Sequence, residues 1–325
     1  MAKARLLAAL GLGQFISVLL ALTGFISTNI TERGFVFPVL QSSGFYFFLC
    51  FHLVSWPFPL RTPVFLYALL ALLDVEANFL AVMAYQYTDI TSILLLNSLT
   101  IPWIVILSFF VLKRRYSLKQ VGAMFICLVG LGLVIGSDTL RGRWSDENGH
   151  GTAWIGDLIC VGSSFLYACQ NVLQEYLLKR LGATEFFSNQ EYLGMLGLFG
   201  FLFSTVQWLI FERQGLVDIG VSLWTSEVIG LFAGFSATMV VLYILLAWFI
   251  GNFDASLFNM SILTSGIYGI VFEFIQRKAS PRLPSDWMYI LAYALIVVGV
   301  VIYSISDVST TEKKEPEGQT QCCDS

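Results

Sequence analysis

Ten runs of about twenty predominantly apolar residues, joined by short polar links, leave this chain few ways to fold. They cover 6–29, 36–57, 63–86, 91–112, 118–136, 153–178, 190–211, 226–249, 255–275 and 286–305. At about 1.5 Å per residue, a helix of roughly 20 residues crosses the hydrocarbon of a bilayer, where every backbone amide must find its partner within the chain. All 18 Lys and Arg residues fall outside the membrane core, in the links and tails or, for Lys119, at the very edge of a run. The sequence predicts an all-α integral membrane protein with ten transmembrane helices.

Composition agrees and excludes other classes. Charged residues make up 12% of the chain, against about 25% in soluble domains. A net charge of -4 offers no basic field for nucleic acid, so the expected partners are the lipid bilayer and a small-molecule substrate. Cys50, Cys127, Cys160 and Cys169 sit in apolar runs at no metal-ligand spacing and read as small hydrophobes. His52 and His150 are the only histidines, too few for a metal cluster. No phosphate-binding glycine loop, acyltransferase pattern or intramembrane protease pair occurs, so neither an enzyme nor a cofactor is expected.

The Lys and Arg count sets an orientation. With the N-terminus in the cytosol, eleven of the 18 lie on that side, which places both termini there, in a secretory-pathway or plasma membrane. From Asp307 to Ser325 the chain is a polar tail in which no packed structure is expected. Cys322 and Cys323 lie in this tail, far from the last helix for palmitoylation.

The interruption at 137–152 falls near the midpoint, and the flanking segments resemble one another. At an offset of 165 residues, Asp89 before the fourth run corresponds to Asp254 before the ninth, Phe109 to Phe274 and Lys113 to Lys278. Five helices per half is an odd number, so the second half enters from the opposite side. The predicted organisation is two inverted repeats, 1–136 and 153–306, around the 137–152 loop, with the 307–325 tail. Gly194, Gly197 and Gly200 recur at a spacing of three, and Gly130 and Gly299 occupy matching places in the fifth and tenth runs, where close helix packing is expected.

Within the run 63–86, Asp74 and Glu76 are acids in a segment with no Lys or Arg between Arg61 and Lys113. A charge at the bilayer centre costs from about 2.5 to more than 10 kcal/mol, so acids that persist there mark an ion or substrate path or a buried partner. Asp74 and Asn78 are four residues apart and share a face, whereas Glu76 is turned by about 200°. Asp74 is therefore assigned to the path and Glu76 to a neighbouring helix. Asn97 and Pro102 follow in the fourth run, where Pro102 removes a backbone hydrogen bond near mid-membrane. Asn171, Gln174 and Glu175 form a second polar face, with Glu175 also at ion-pair spacing from Lys179. Gln14 and Asn259 complete the candidate substrate or ion ligands.

These segments resemble a known family. Gly11-Leu12-Gly13-Gln14, DVEANFLAVMAYQYTDITSILLLN from Asp74 to Asn97, YACQNVLQEYLLK from Tyr167 to Lys179 and EYLGMLGLFG from Glu191 to Gly200 are similar to the solute carrier 35 family, F subgroup, of the drug/metabolite transporter superfamily. The resemblance covers about Leu6 to Ser304. It implies ten helices in two inverted repeats and transport of a small metabolite, with relatives that include nucleotide-sugar transporters of the secretory pathway. The chain departs from the family pattern at Asn97, where Asp is usual, at Gln174, where Glu is usual, and at Ser265-Gly266, where Ala-Asp is usual. With no Lys or Arg well inside a helix to pair a diphosphate, and many aromatic side chains, the expected substrate is neutral or cationic and planar. The expected function is transport by alternating access, with Asp74 exchanging a proton; the alternatives are a nucleotide-sugar transporter and a non-transporting membrane scaffold or sensor.

Overall fold

The computed structural model describes residues 2–55, 60–84, 96, 99–140, 153–181, 186–219, 224–265, 267–269, 271–272 and 287–312. Its described secondary structure is helical: α1 Ala2–Glu32, α2 Pro38–Cys50 with a tighter turn Phe51–Ser55, α3 Val64–Ala84, α4 Thr100–Val111, α5 Leu118–Leu140, α6 Ala153–Leu181, α7 Phe186–Phe211, α8 Ser226–Asn252, α9 Ala255–Ile262 and α10 Trp287–Glu312. A two-turn helix, Arg213–Ile219, follows α7.

Each predicted run overlaps one of these helices. Four segments are long and apolar enough to cross a membrane by themselves: Leu7–Glu32, Val64–Ala81, Asn189–Phe211 and Ser226–Asn252. Pro38–Val54, Thr100–Val111, Leu118–Leu133 and Ile290–Ser306 are shorter apolar helices. Helix α6 has the length but not the uniform apolarity, because Ser163, Ser164, Gln170, Asn171, Gln174 and Glu175 are buried along it. Its polar side faces protein.

Among the helix pairs in contact are α5 with α10, α2 with α7 and α8, α3 with α6 and α7, α1 with α8, α9 and α10, α4 with α6 and α9, and α6 with α7 and α8. Glycine makes the α2–α7 contact possible. A Cβ on Gly197 would lie 2.6 Å from the Cys50 nitrogen, and one on Gly200 would overlap the Tyr46 ring. The α5–α10 contact is built the same way, since a Cβ on Gly130 would lie 2.8 Å from the Ala292 carbonyl oxygen.

Two helices are interrupted at matching places. The Leu99 amide donates to the Leu96 carbonyl at 3.1 Å just before α4, and the Thr264 amide donates to the Ser261 carbonyl at 3.1 Å at the end of α9. These turns are related by the same offset of 165 residues read from the sequence. Pro102 lies in the first turn of α4, where its missing N–H interrupts nothing, instead of breaking a continuous helix as the sequence suggested.

Candidate functional site

Helix α3 presents two kinds of surface. Phe65, Leu69 and Leu72 point outward, whereas Tyr67, Leu70, Ala71, Asp74 and Ala77 are buried. Asp74 is 3% exposed. Its Oδ2 accepts hydrogen bonds from the Tyr46 hydroxyl on α2 at 2.5 Å and from the Tyr243 hydroxyl on α8 at 2.8 Å. Phe45 packs against both rings, with centroids 4.1 Å from Tyr46 and 5.0 Å from Tyr243, and fixes where the hydroxyls point. Among the described residues no cation pairs with Asp74. Two hydroxyl donors can hold a buried carboxylate, and they can also turn to a ligand, which a salt bridge would resist.

One turn further, the Asn78 amide donates to the Asp74 carbonyl at 2.7 Å, and its Oδ1 accepts from the Tyr167 hydroxyl of α6 at 3.0 Å. Gln170 Nε2 donates to Gln174 Oε1 at 3.2 Å, and Gln174 is wholly buried on the side of α6 that meets Tyr192 of α7. Asn171 is buried on the same helix. Helices α2, α3, α6, α7 and α8 thus surround one polar centre in an otherwise apolar core.

Glu76 stands apart, half-buried between α3 and α7, accepting a long 3.5 Å hydrogen bond from Gln207 Nε2. In this geometry the two acids serve different neighbours. Gln14 accepts from Thr264 at 3.1 Å and Tyr268 at 2.9 Å, and Ser17 donates to the Ser261 carbonyl at 2.8 Å, so α1 braces the interruption after α9. Asn259 donates back to the Ala255 carbonyl at 2.8 Å within α9. Asn97 lies outside the described residues.

Glu175 belongs to a separate ionic cluster at one end of the bundle. It pairs with Lys179 one turn on, lies 3.4 Å from Arg114, and accepts from the Ala255 amide at 2.9 Å at the start of α9. Arg114 also pairs with Asp254 at 2.9 Å, and Asp254 caps α9 by accepting from the Leu257 amide at 2.7 Å. The chain turns Arg114 inward through Lys113, whose φ of 51° is left-handed, while the Arg114 amide bonds back to the Ser108 carbonyl at 3.2 Å. At the same end Glu191 of α7 accepts from the Arg61 amide at 3.0 Å, the Thr62 amide at 3.3 Å and the Tyr67 hydroxyl at 2.7 Å. His52 contacts Gln190 there.

The opposite end has its own tie. Phe37, the residue before α2, has no side-chain acceptor for the first amides of that helix, and Glu212 supplies one to Val39 at 2.9 Å and Leu40 at 2.8 Å. Burial pushes the Glu212 carboxyl up from its ordinary range, against the smaller opposing pull of those two amides. Arg33 pairs with Glu227 nearby, both partly exposed.

Of the residues singled out in the sequence, the structure brings Asp74, Asn78 and Gln174 toward one centre. It places Glu76, Glu175, Gln14 and Asn259 in other contacts. Sequence reading missed Tyr46, Tyr192 and Tyr243, because a tyrosine in an apolar helix carries no signal that its hydroxyl is used. The coincidence of Tyr46 and Asp74 in facing runs was the one available hint.

A bundle of apolar helices arranged around a buried carboxylate held by tyrosine hydroxyls defines an all-α multi-pass membrane protein. The F-subgroup model of Solute carrier family 35 matches residues 2–305, and the chain belongs to that family, within the drug/metabolite transporter superfamily. Solute carrier family 35 member F2 of Mus musculus is 38% identical over 256 residues, 79% of this chain and 64% of its own length. The Xenopus tropicalis protein of the same name is 34% identical over 73% of this chain and 58% of its own. An uncharacterized solute carrier family 35 member of Schizosaccharomyces pombe is 33% identical over 77% and 46%. The matches thus span less than two thirds of these relatives' lengths. A solved crystal structure shares the fold, with a TM-score of 0.65 over 92% of this chain and 98% of its own at 16% identity. The family is a non-catalytic one, and among the described residues no cluster of three or more His, Cys, Asp or Glu is placed to hold a metal ion.

Proposed function

We propose that this protein carries a small organic metabolite across a membrane by alternating access, with Asp74 as the proton-exchanging group at the centre of the path. The observation that carries the reading is the buried Asp74 carboxylate, held near the middle of α3 by tyrosine hydroxyls from α2 and α8. An acid at that depth with no countercharge among the described residues belongs to a path or a partner, and its partners here are reversible donors.

Two inverted five-helix repeats, 1–136 and 153–306, provide the frame, joined by 137–152, with 307–325 as a polar tail. The packing supports this. Exchanging each helix with the one five places on turns the α3–α6 contact into α8–α1, α3–α7 into α8–α2 and α4–α6 into α9–α1, and returns α2–α7, α4–α9 and α5–α10 to themselves, whereas α1–α10 has no comparable α5–α6 counterpart. The matching interruptions at Leu99 and Thr264 follow the same relation, and paired interrupted helices point to a midplane binding region in such carriers. Ten spans put both termini on the cytosolic side, in a secretory-pathway or plasma membrane. The substrate is neutral or cationic and planar: the described cations sit at the bundle ends, and the centre offers a carboxylate and aromatic rings.

The test is counterflow in proteoliposomes with UDP-glucose, adenine, nicotinamide, benzamidinium and N-methylphenylpyridinium. Saturable exchange of a planar neutral or cationic compound is expected. Exchange of UDP-glucose alone would establish the nucleotide-sugar alternative, and exchange of nothing, with a protein partner that co-purifies, the scaffold. Asp74→Asn keeps shape and hydrogen-bonding capacity, so membrane insertion should survive while dependence of initial uptake on an imposed pH gradient is lost. A variant that retains the parent's gradient dependence at matched expression removes Asp74 from coupling.

A further inference from the structure

We infer that Tyr192 and Gln174 form a hydrogen-bonding subsite that donates to an acceptor atom of the transported molecule, a carbonyl oxygen or an unprotonated ring nitrogen, across from the carboxylate of Asp74. The inference rests on the transport reading above and adds to it a direction: donor groups of the substrate face Asp74, acceptor groups face α6 and α7.

Both side chains are wholly buried, with 0% exposure. Neither the Tyr192 hydroxyl nor Gln174 Nε2 makes a hydrogen bond of good geometry, although the two lie close enough to pair loosely with one another, which still leaves the Tyr192 O–H and one Gln174 N–H without an acceptor. Buried donors without acceptors are rare in folded proteins, and each calls for a reason. Position supplies one. The two side chains approach each other at the contact between α6 and α7, and the Tyr192 hydroxyl lies within electrostatic reach of Asp74 and of Tyr243, which itself donates to Asp74. The orphan atoms therefore stand beside the polar centre.

The chemistry is directional. Gln174 Oε1 is already occupied by Gln170, which leaves the amide nitrogen as the free end and makes Gln174 a donor at this point. A phenol donates or accepts, but beside an amide N–H and a carboxylate already served by two other phenols, its open role is to donate outward. Asp74 is the converse, an acceptor that recognises N–H or O–H groups. A molecule with a donor on one edge and an acceptor on another satisfies both sides at once. A cation that bears donors alone satisfies only Asp74 and leaves the two orphans as they are.

A structural water held by the same two groups is the competing explanation, and substitution separates the two. Tyr192→Phe removes a hydroxyl whose one close polar neighbour is Gln174, so the thermal midpoint of the protein should change little; Gln174→Met preserves volume while removing the donor, together with the acceptor of Gln170. In proteoliposomes the probes are adenine and nicotinamide, which carry acceptors, and benzamidinium and N-methylphenylpyridinium, which carry none. Each substitution is expected to raise the half-saturation concentration for the acceptor-bearing probes by about three- to tenfold, the scale of one neutral hydrogen bond, and to leave the others unchanged. Equal weakening of both groups, no change in either, or exchange by the parent of acceptor-free probes alone would overturn the subsite while leaving transport intact. A lowered midpoint for Tyr192→Phe with unaltered exchange would assign the hydroxyl to a structural water and overturn it as well. A parent that exchanges no probe fails the transport reading itself, an outcome distinct from all of these.

Discussion

Gly200 bears on Asp74 without touching it. A methyl group added there would overlap the ring of Tyr46, whose hydroxyl is one of the two donors to the Asp74 carboxylate. Tyr46 is fully buried and in contact with Phe45 and Tyr243, so its ring has no free direction in which to yield. Gly200→Ala is expected to cost roughly 1–3 kcal/mol, typical of overpacking a close contact, and to impair uptake beyond what lost protein explains. Gly132→Ala is the control, because a Cβ there meets nothing within 4 Å. Thermal unfolding of the two variants, with uptake normalised to folded protein, checks both halves of the expectation. At this scale the sequence disclosed Asp74, Asn78 and the opposite turn of Glu76 through helical period alone. It could not disclose that Tyr46 and Tyr243 serve the carboxylate, since those bonds span 28 and 169 residues of chain.

Among the elements, the link between α4 and α5 is where charge and backbone conformation meet. Arg114 is the ion partner of Asp254, and Asp254 is wholly buried, while Glu175 retains Lys179 if Arg114 is lost. Truncating Arg114 to Ala should therefore destabilise through Asp254 above all, by about 3–5 kcal/mol, because an unpaired carboxylate remains in a buried place. Adding Asp254→Asn keeps the α9 cap and removes the charge, so the double variant should recover much of the loss. Melting curves for the two single variants and the pair give the coupling. The Glu175–Lys179 pair was legible from its spacing of four. The inward turn of Arg114 was not, since Lys113-Arg114-Arg115 reads as an ordinary solvated cluster. Its side chain is only 20% exposed because the left-handed Lys113 turns the chain back over α4.

For the molecule as a whole, the positions of the apolar runs and their glycine contacts followed from hydropathy and spacing. Where the helices stop did not. The fourth run was expected to be broken or bent at Pro102, yet the turn falls at Leu99 and α4 begins at Thr100, and the ninth breaks at Leu263–Thr264 where the sequence is still apolar enough to continue. Side chains from neighbouring helices, Gln14 and Ser17 among them, make those breaks tolerable by serving the groups around them. The proposed two five-helix repeats, with an even number of crossings, would put both ends of the chain on one face. Protease tags at the two termini, in sealed vesicles of known sidedness, should be cleaved together or spared together; digestion of one alone would rule out ten crossings.

Glu191 of α7 and Glu212 just beyond its end also bear on how the chain is made. Glu191 holds the amides ahead of α3, and Glu212 holds the first amides of α2, so two helices from early in the chain depend on a helix synthesised more than a hundred residues later. On the ribosome, α2 and α3 enter the membrane with those amides still seeking acceptors, left to water or lipid headgroups until α7 arrives. The early helices should thus stay mobile near the membrane surface during synthesis, and settle only when the second half threads in beside them. A membrane protein whose first half is finished by its second has its final assembly timed by translation.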